Sequence, residues 1–175
     1  MCLAGAGQSL SLVIGGALAT PCEAVNPLAP CARNVRKHNK SKMIYFHSMI
    51  IGSGVDLVEI GRIQQSMDRY GQRFLDRVYT TAEQAYCLRK RKSAESFAAR
   101  FAAKEAGAKA LGTGISYGVS WLEVEVVREP SGRPTLQLHG RAAEIAAHLG
   151  VARAALSLTH TAGLAMASVA LEDGR

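Results

Sequence analysis

The sequence predicts an α+β domain in which a mainly antiparallel sheet packs on one long helix, and three observations carry that reading. From about Ser93 to Leu111, Ala, Lys and Glu fill a run whose apolar residues recur at helical spacing, and Gly112 follows as a stop. Trp121 to Arg128 alternates, with Leu122, Val124 and Val126 on one face and Glu123, Glu125 and Val127 on the other. Near the C-terminus, two apolar runs, Ala154 to Thr161 and Leu164 to Leu171, lie close enough to form a closing hairpin. The resulting order, β-α-α-β-β-α-β-β, suits a sheet joined largely by hairpins. No internal repeat is visible.

Taken in order, residues 49–55 are β-branched and apolar, a strand closed by Gly52 and Gly54. From Glu59 to about Tyr70, Ile60, Ile63 and Met67 recur at three and four, which predicts a short helix. Thr81-Ala82-Glu83 resembles a helix start, with Thr80 or Thr81 as its N-cap. That helix runs to about Leu88, where Arg89-Lys90-Arg91-Lys92 interrupts it. The basic cluster reads either as a solvated helix end offsetting the C-terminal dipole or as a phosphate or protein contact. In the long helix, Phe97 and Phe101 lie four apart and face a core. Ser131-Gly132 makes a turn before a strand over Thr135 to His139, and Arg141 to Leu149 is an Ala-rich helix stopped by Gly150.

The chain divides unevenly. Residues 1–48 are rich in Ala, Gly, Ser and Pro and then basic from Arg33 to Lys42; they hold five Lys/Arg against one acid, a net of +4. The remainder holds sixteen against thirteen, a net of +3. Much of the basic balance therefore belongs to a segment not expected to fold, and it is no nucleic-acid footprint of the domain. Leu10 to Leu18 is apolar enough for a short signal-type core, and Ala17-Leu18-Ala19 resembles a cleavage site. No Lys or Arg precedes Arg33, however, and the run is too short to span a bilayer. Residues 1–48 are expected to be a disordered extension or the product of a start assigned upstream of Met49, leaving the domain at 49–175. Of four cysteines only Cys87 falls in that domain, without zinc-type spacing, which fits a reducing cytoplasm.

The chemistry concentrates in the long helix. Arg100 and Lys104 lie four apart on one face, and Glu105 and Lys109 repeat the spacing. A carboxylate flanked by lysines is what a site needs to hold a divalent metal and a polyphosphate together. Glu105 would supply an oxygen ligand, and Lys104 and Lys109 would neutralise phosphate. Magnesium commonly takes one or two carboxylates plus the substrate's phosphates, so one more acid would complete the protein's share, and Asp56 is the candidate. On spacing alone a solvated Lys-Glu face explains the helix equally, and Asp56 could be a strand-end turn residue or an N-cap. The loop Gly112-Thr113-Gly114 would let backbone amides approach a phosphate, or simply ends the helix.

Four blocks give these residues a context: GVDLVEIGRI at 54–63, FAARFAAKEAGAKALGTGI at 97–115, SGRP at 131–134 and SLTHTAGLAMASV at 157–169. In order and spacing they resemble holo-[acyl-carrier-protein] synthase, the small bacterial class of 4′-phosphopantetheinyl transferase. The resemblance implies transfer of the phosphopantetheine arm from coenzyme A to a serine of apo acyl carrier protein, with release of adenosine 3′,5′-bisphosphate, in fatty acid biosynthesis. It implies that Asp56 and Glu105 bind Mg2+, that Lys104 lies against the diphosphate, and that His160 stands on the nucleotide side. It also implies that Arg62, Arg69 and Arg73 meet the acidic carrier, and that the protein is a homotrimer with sites shared across interfaces. Ser53 departs from the aliphatic residue of many relatives without a change in size that would threaten the chemistry. The segments after Ile115 and from Arg89 to Ser96 match poorly.

Two competing readings have other partners. The same chemistry could serve carrier domains of a polyketide or fatty-acid megasynthase. A non-catalytic basic module could bind an acidic protein or nucleic acid, but it gives no reason for Asp56, Lys104 and Glu105 to occur together, and aromatics interleaved for base stacking are lacking.

Overall fold

A computed structural model describes residues 49–115 and 118–174, so the expectations for residues 1–48 lie outside the described residues. The chain begins with strand β1 (Ile50–Glu59), followed by helices α1 (Ile60–Tyr70), α2 (Gln72–Val78), α3 (Thr81–Leu88) and α4 (Ser93–Ala110). A 3-10 turn at Trp121–Glu123 leads into β2 (Val124–Arg128) and β3 (Pro134–Leu138), then α5 (Gly140–Leu149), β4 (Val151–Thr161) and β5 (Leu164–Asp173). All pairings are antiparallel, as expected, but the strands form two sheets: β1-β5-β4, and the hairpin β2-β3. A hydrogen bond from Thr135 Oγ1 to the Ala154 carbonyl, 3.3 Å, ties the hairpin to β4.

Helix α4 is the spine. Phe97, Ala98, Ala102, Ala103 and Ala106 are fully buried, and the inner face of the three-stranded sheet meets them with Val58, Ala165, Ala167 and Val169. Alanine lets helix and sheet approach closely, and β1 answers with glycine. A Cβ on Gly54 would run into the Ala106 carbonyl and come within 2.8 Å of the Ala110 nitrogen. On another side Gly107 faces Val124 and Leu136, where an added Cβ would meet each at 3.0 Å. The long helix is thus enclosed by sheet and hairpin together, which is why so little of it reaches solvent.

Four expectations are corrected. β1 continues to Glu59, so Asp56 is a mid-strand residue rather than a turn or an N-cap. Four helices separate the first and second strands where three were expected along the chain, and α2 is the one not foreseen. The strand expected from Trp121 starts at Val124; the preceding 3-10 turn leaves Leu122 42% exposed, while Val124 and Val126 keep the buried face. Of the two proposed caps for α3, Thr80 is the one used: its side chain accepts from the Glu83 amide and Glu83 returns the bond to the Thr80 amide, a closed capping box.

Candidate active site

Asp56 on β1 projects to the sheet face that α4 covers, where its partner on β5 is Ala167, itself paired with Leu158 of β4. Glu105 and Lys109 stand one helical turn apart on α4. Lys109 Nζ lies 2.8 Å from Asp56 Oδ1 and donates also to the Val55 carbonyl at 3.2 Å. Burial pushes the Glu105 carboxyl upward, the Asp56 charge pushes it further, and Lys109 opposes both. Two carboxylates therefore lie near enough to feel each other's charge, with the Lys109 ammonium bonded to one and acting on the other, a donor set short of positive charge. That set fits magnesium, which takes hard oxygen ligands and completes its octahedron with water and substrate phosphates. Among the described residues no group of three or more His, Cys, Asp or Glu offers an all-protein cage.

Lys104 is not part of this arrangement. One residue before Glu105, it points about 100° away around the helix. Its side chain has no exposed surface, and Nζ is held 2.8 Å from Glu83 Oε2, 2.9 Å from the Trp121 carbonyl and 2.8 Å from the Val124 carbonyl. An ammonium has three donors, and all three are used. Burial lowers its pKa and the adjacent Glu83 charge restores part of the loss. The expectation that Lys104 lies against a diphosphate gives way to an interior role; Lys109 is the lysine beside the carboxylates.

The loop after α4 takes the second of its two readings, the helix stop. The amides of Gly112, Thr113 and Gly114 donate to the carbonyls of Lys109 and Ala108, at 2.9, 3.2 and 3.1 Å. They close the end of the helix rather than facing outward, and φ values of 79° and 62° explain the two glycines. His160 is on β4, two strands from Asp56, with Nδ1 3.8 Å from Glu95 Oε2 at the start of α4.

Arg62, Arg69 and Arg73 are all exposed but do not form one continuous stripe. The chain turns at Gly71, with φ 53° and ψ −135°, which puts Arg73 on α2. There it lines a cleft of about 540 Å³ with Tyr70, Phe74, Arg77, Phe101 and Trp121. Arg77 and Trp121 were missed by sequence reasoning, although the Trp121 ring stacks on Phe101 at 4.4 Å. A second basic group surrounds Tyr86: Arg100, Lys90 and Arg128 place their charges 4.2, 4.7 and 5.1 Å from its ring centre. Arg100 is buried, and its Nε has no acceptor among the described residues. Of the basic run 89–92, Lys90 joins this group, while Lys92 pairs with Glu95 at 2.9 Å on a helix end.

Fold and site together define a phosphopantetheinyl transferase. A family model for the 4′-phosphopantetheinyl transferase superfamily matches residues 52–167, and the chain belongs to that family. Its kind within the family is holo-[acyl-carrier-protein] synthase, as the four sequence blocks implied. A protein of that name from Koribacter versatilis is 58% identical over 125 residues, 71% of this chain and 100% of the relative. The crystal structure of the Neisseria meningitidis synthase superposes with a TM-score of 0.65 at 34% identity, covering 71% of this chain and 100% of that one. The Helicobacter pylori synthase, solved in complex with coenzyme A, gives 0.61 at 32% identity, covering 68% and 98%.

Proposed function

We propose that the protein transfers 4′-phosphopantetheine from coenzyme A to a serine of apo acyl carrier protein, releasing adenosine 3′,5′-bisphosphate, in fatty acid biosynthesis in the cytoplasm. The observation that carries this is the meeting of Asp56, Glu105 and Lys109 across the β1–α4 contact. The serine oxygen attacks the phosphorus bearing the pantetheine arm, the bond to the bridging oxygen breaks with its electron pair going to the departing nucleotide phosphate, and the hydroxyl proton passes to solvent. Such a transfer demands alignment and neutralisation of charge on the departing phosphate. Asp56 and Glu105 would hold Mg2+, which when bound supplies that neutralisation at the diphosphate. Lys109, fixed by Asp56 and the Val55 carbonyl, adds a positive charge at a set place. His160 stands on the nucleotide side of the sheet, and Arg62, Arg69 and Arg73 meet the acidic carrier.

A homotrimer is part of the proposal. The face of the sheet turned away from α4 carries Val55, Leu57, Leu164 and Met166, between 38% and 58% exposed, and such an apolar face favours burial against further copies. No helix among the described residues is long and apolar enough to cross a membrane. The test is intact-mass analysis of apo acyl carrier protein incubated with this protein, coenzyme A and magnesium, with and without chelator. A chelator-sensitive gain of one phosphopantetheine is the expected result. No gain with either a free carrier or megasynthase carrier domains would overturn the reading.

A further inference from the structure

The Lys104–Glu83 pair has no place in the chemistry just described, yet it is the most completely enclosed charged contact among the described ion pairs, at 0% and 1% side-chain exposure. Its bonds reach unusually far. Lys104 on α4 holds the carbonyls of Trp121 and Val124. Glu83 on α3 accepts the Val126 amide through Oε1 at 3.0 Å and the Thr80 amide through Oε2 at 2.9 Å. Two side chains thus fasten α3, α4, the 3-10 turn and β2 at one point. The turn they fasten carries Trp121, whose ring lies against Phe101 and walls the cleft containing Arg73 and Arg77.

We infer that Lys104 and Glu83 are positioning residues: together they clamp the Trp121 turn and so set the shape of the arginine-lined cleft that receives the second, acidic substrate. The choice of substrate rests on the transferase reading above; the clamp itself rests on the bonds alone. A buried pair suits this task because direction matters more than net energy. Each ammonium hydrogen has one carbonyl or carboxylate to satisfy, so the turn has one bonded position. A neutral apolar side chain of equal volume could fill the space without holding either carbonyl.

The chain contains a single tryptophan, so intrinsic fluorescence reports Trp121 without labelling or turnover. Lys104→Met and the double variant Lys104→Met/Glu83→Leu are compared with the full-length protein by Trp emission, acrylamide quenching and steady-state kinetics. The double variant leaves neither member of the pair as an unpaired buried charge, so it is the one expected to fold where the single one fails. The expected result is red-shifted emission and stronger quenching, with KM for the carrier raised about tenfold and kcat changed by less than about threefold. A loss of about 100-fold or more in kcat, with KM and emission unchanged, would make Lys104 a catalytic cation and overturn the clamp. Unchanged emission and quenching in a folded double variant would also overturn it. If the wild-type protein transfers nothing, the substrate reading fails, and the fluorescence comparison decides the clamp by itself.

Discussion

Asp56 and Lys109 are 53 positions apart in the chain, yet their charged atoms lie 2.8 Å apart because a glycine-bearing strand runs beside an alanine helix. The acids were proposed from residue type and motif: one carboxylate on the helix, a second needed, and Asp56 as its candidate within the GVDLVEIGRI block. Which lysine accompanied them was not legible. Nearly every face of α4 is alanine, so its sequence has little amphipathic contrast to distinguish an inward lysine from an outward one. Only the packing of the hairpin and α3 on the Lys104 side makes that side interior. The carboxylates carry a direct prediction. Asp56→Asn keeps size and hydrogen bonding but removes one charge from the oxygen pair and the partner of Lys109. Transfer should fall by roughly 100-fold or more, in line with the loss of one charge-stabilising group at a transferring phosphate, with the thermal transition little changed. A folded Asp56→Asn variant turning over at the wild-type rate would remove Asp56 from the site.

Among the elements, those with strong local signals were readable and those set by contacts were not. The long helix, the closing hairpin and the Thr80 start of α3 follow from composition, alternation and a capping pattern. Helix α2 is only seven residues long, with just Phe74, Leu75 and Val78 to mark an apolar side, and its length is below what a periodicity argument can use. The strand beginning was misplaced because Trp121 and Leu122 continue an alternating pattern, whereas the carbonyl of Trp121 is held by Lys104 and the Ser120 amide by Glu123, which together favour a 3-10 turn. The element contact that positions the site is β1 on α4, and Gly54 is where it is tightest. Gly54→Ala would force the strand off the Ala106 carbonyl and the Ala110 nitrogen, both of them backbone atoms that cannot rotate away. The expected cost is about 1–3 kcal/mol in denaturant unfolding, the typical range for overpacking, and towards its upper end because the neighbours are rigid. Asp56, two residues along on the same face, should move with the strand and transfer should weaken further than stability alone predicts. An alanine there with wild-type stability would show that β1 and α4 have slack.

At the scale of the whole molecule, the three-stranded sheet carries apolar residues on both sides, and among the described residues α4 covers only one of them. The inner residues Val58, Ala165, Ala167 and Val169 are nearly inaccessible beneath α4, whereas Leu57 and Met166, paired across β1 and β5 on the outer side, remain 58% and 38% exposed. Strand alternation requires that one face be covered; a contiguous apolar second face is the kind of surface that the proposed assembly would bury. The proposed trimer, with sites shared across its interfaces, would bring groups of a second chain to the Asp56–Glu105 pair. Met166 is the residue on which to test this, since it lies on the central strand of that sheet, outside the described acids and lysine. Met166→Asp should convert a trimer to monomers in sedimentation velocity, because a buried unpaired carboxylate in each copy of a closed interface costs far more than its methionine contributed. Circular dichroism should be unchanged and transfer should collapse, although Asp56, Glu105 and Lys109 are intact in every chain. A wild-type monomer with full activity, or a trimer that survives the substitution, would show that the site is complete within one chain and that the outer face serves another purpose.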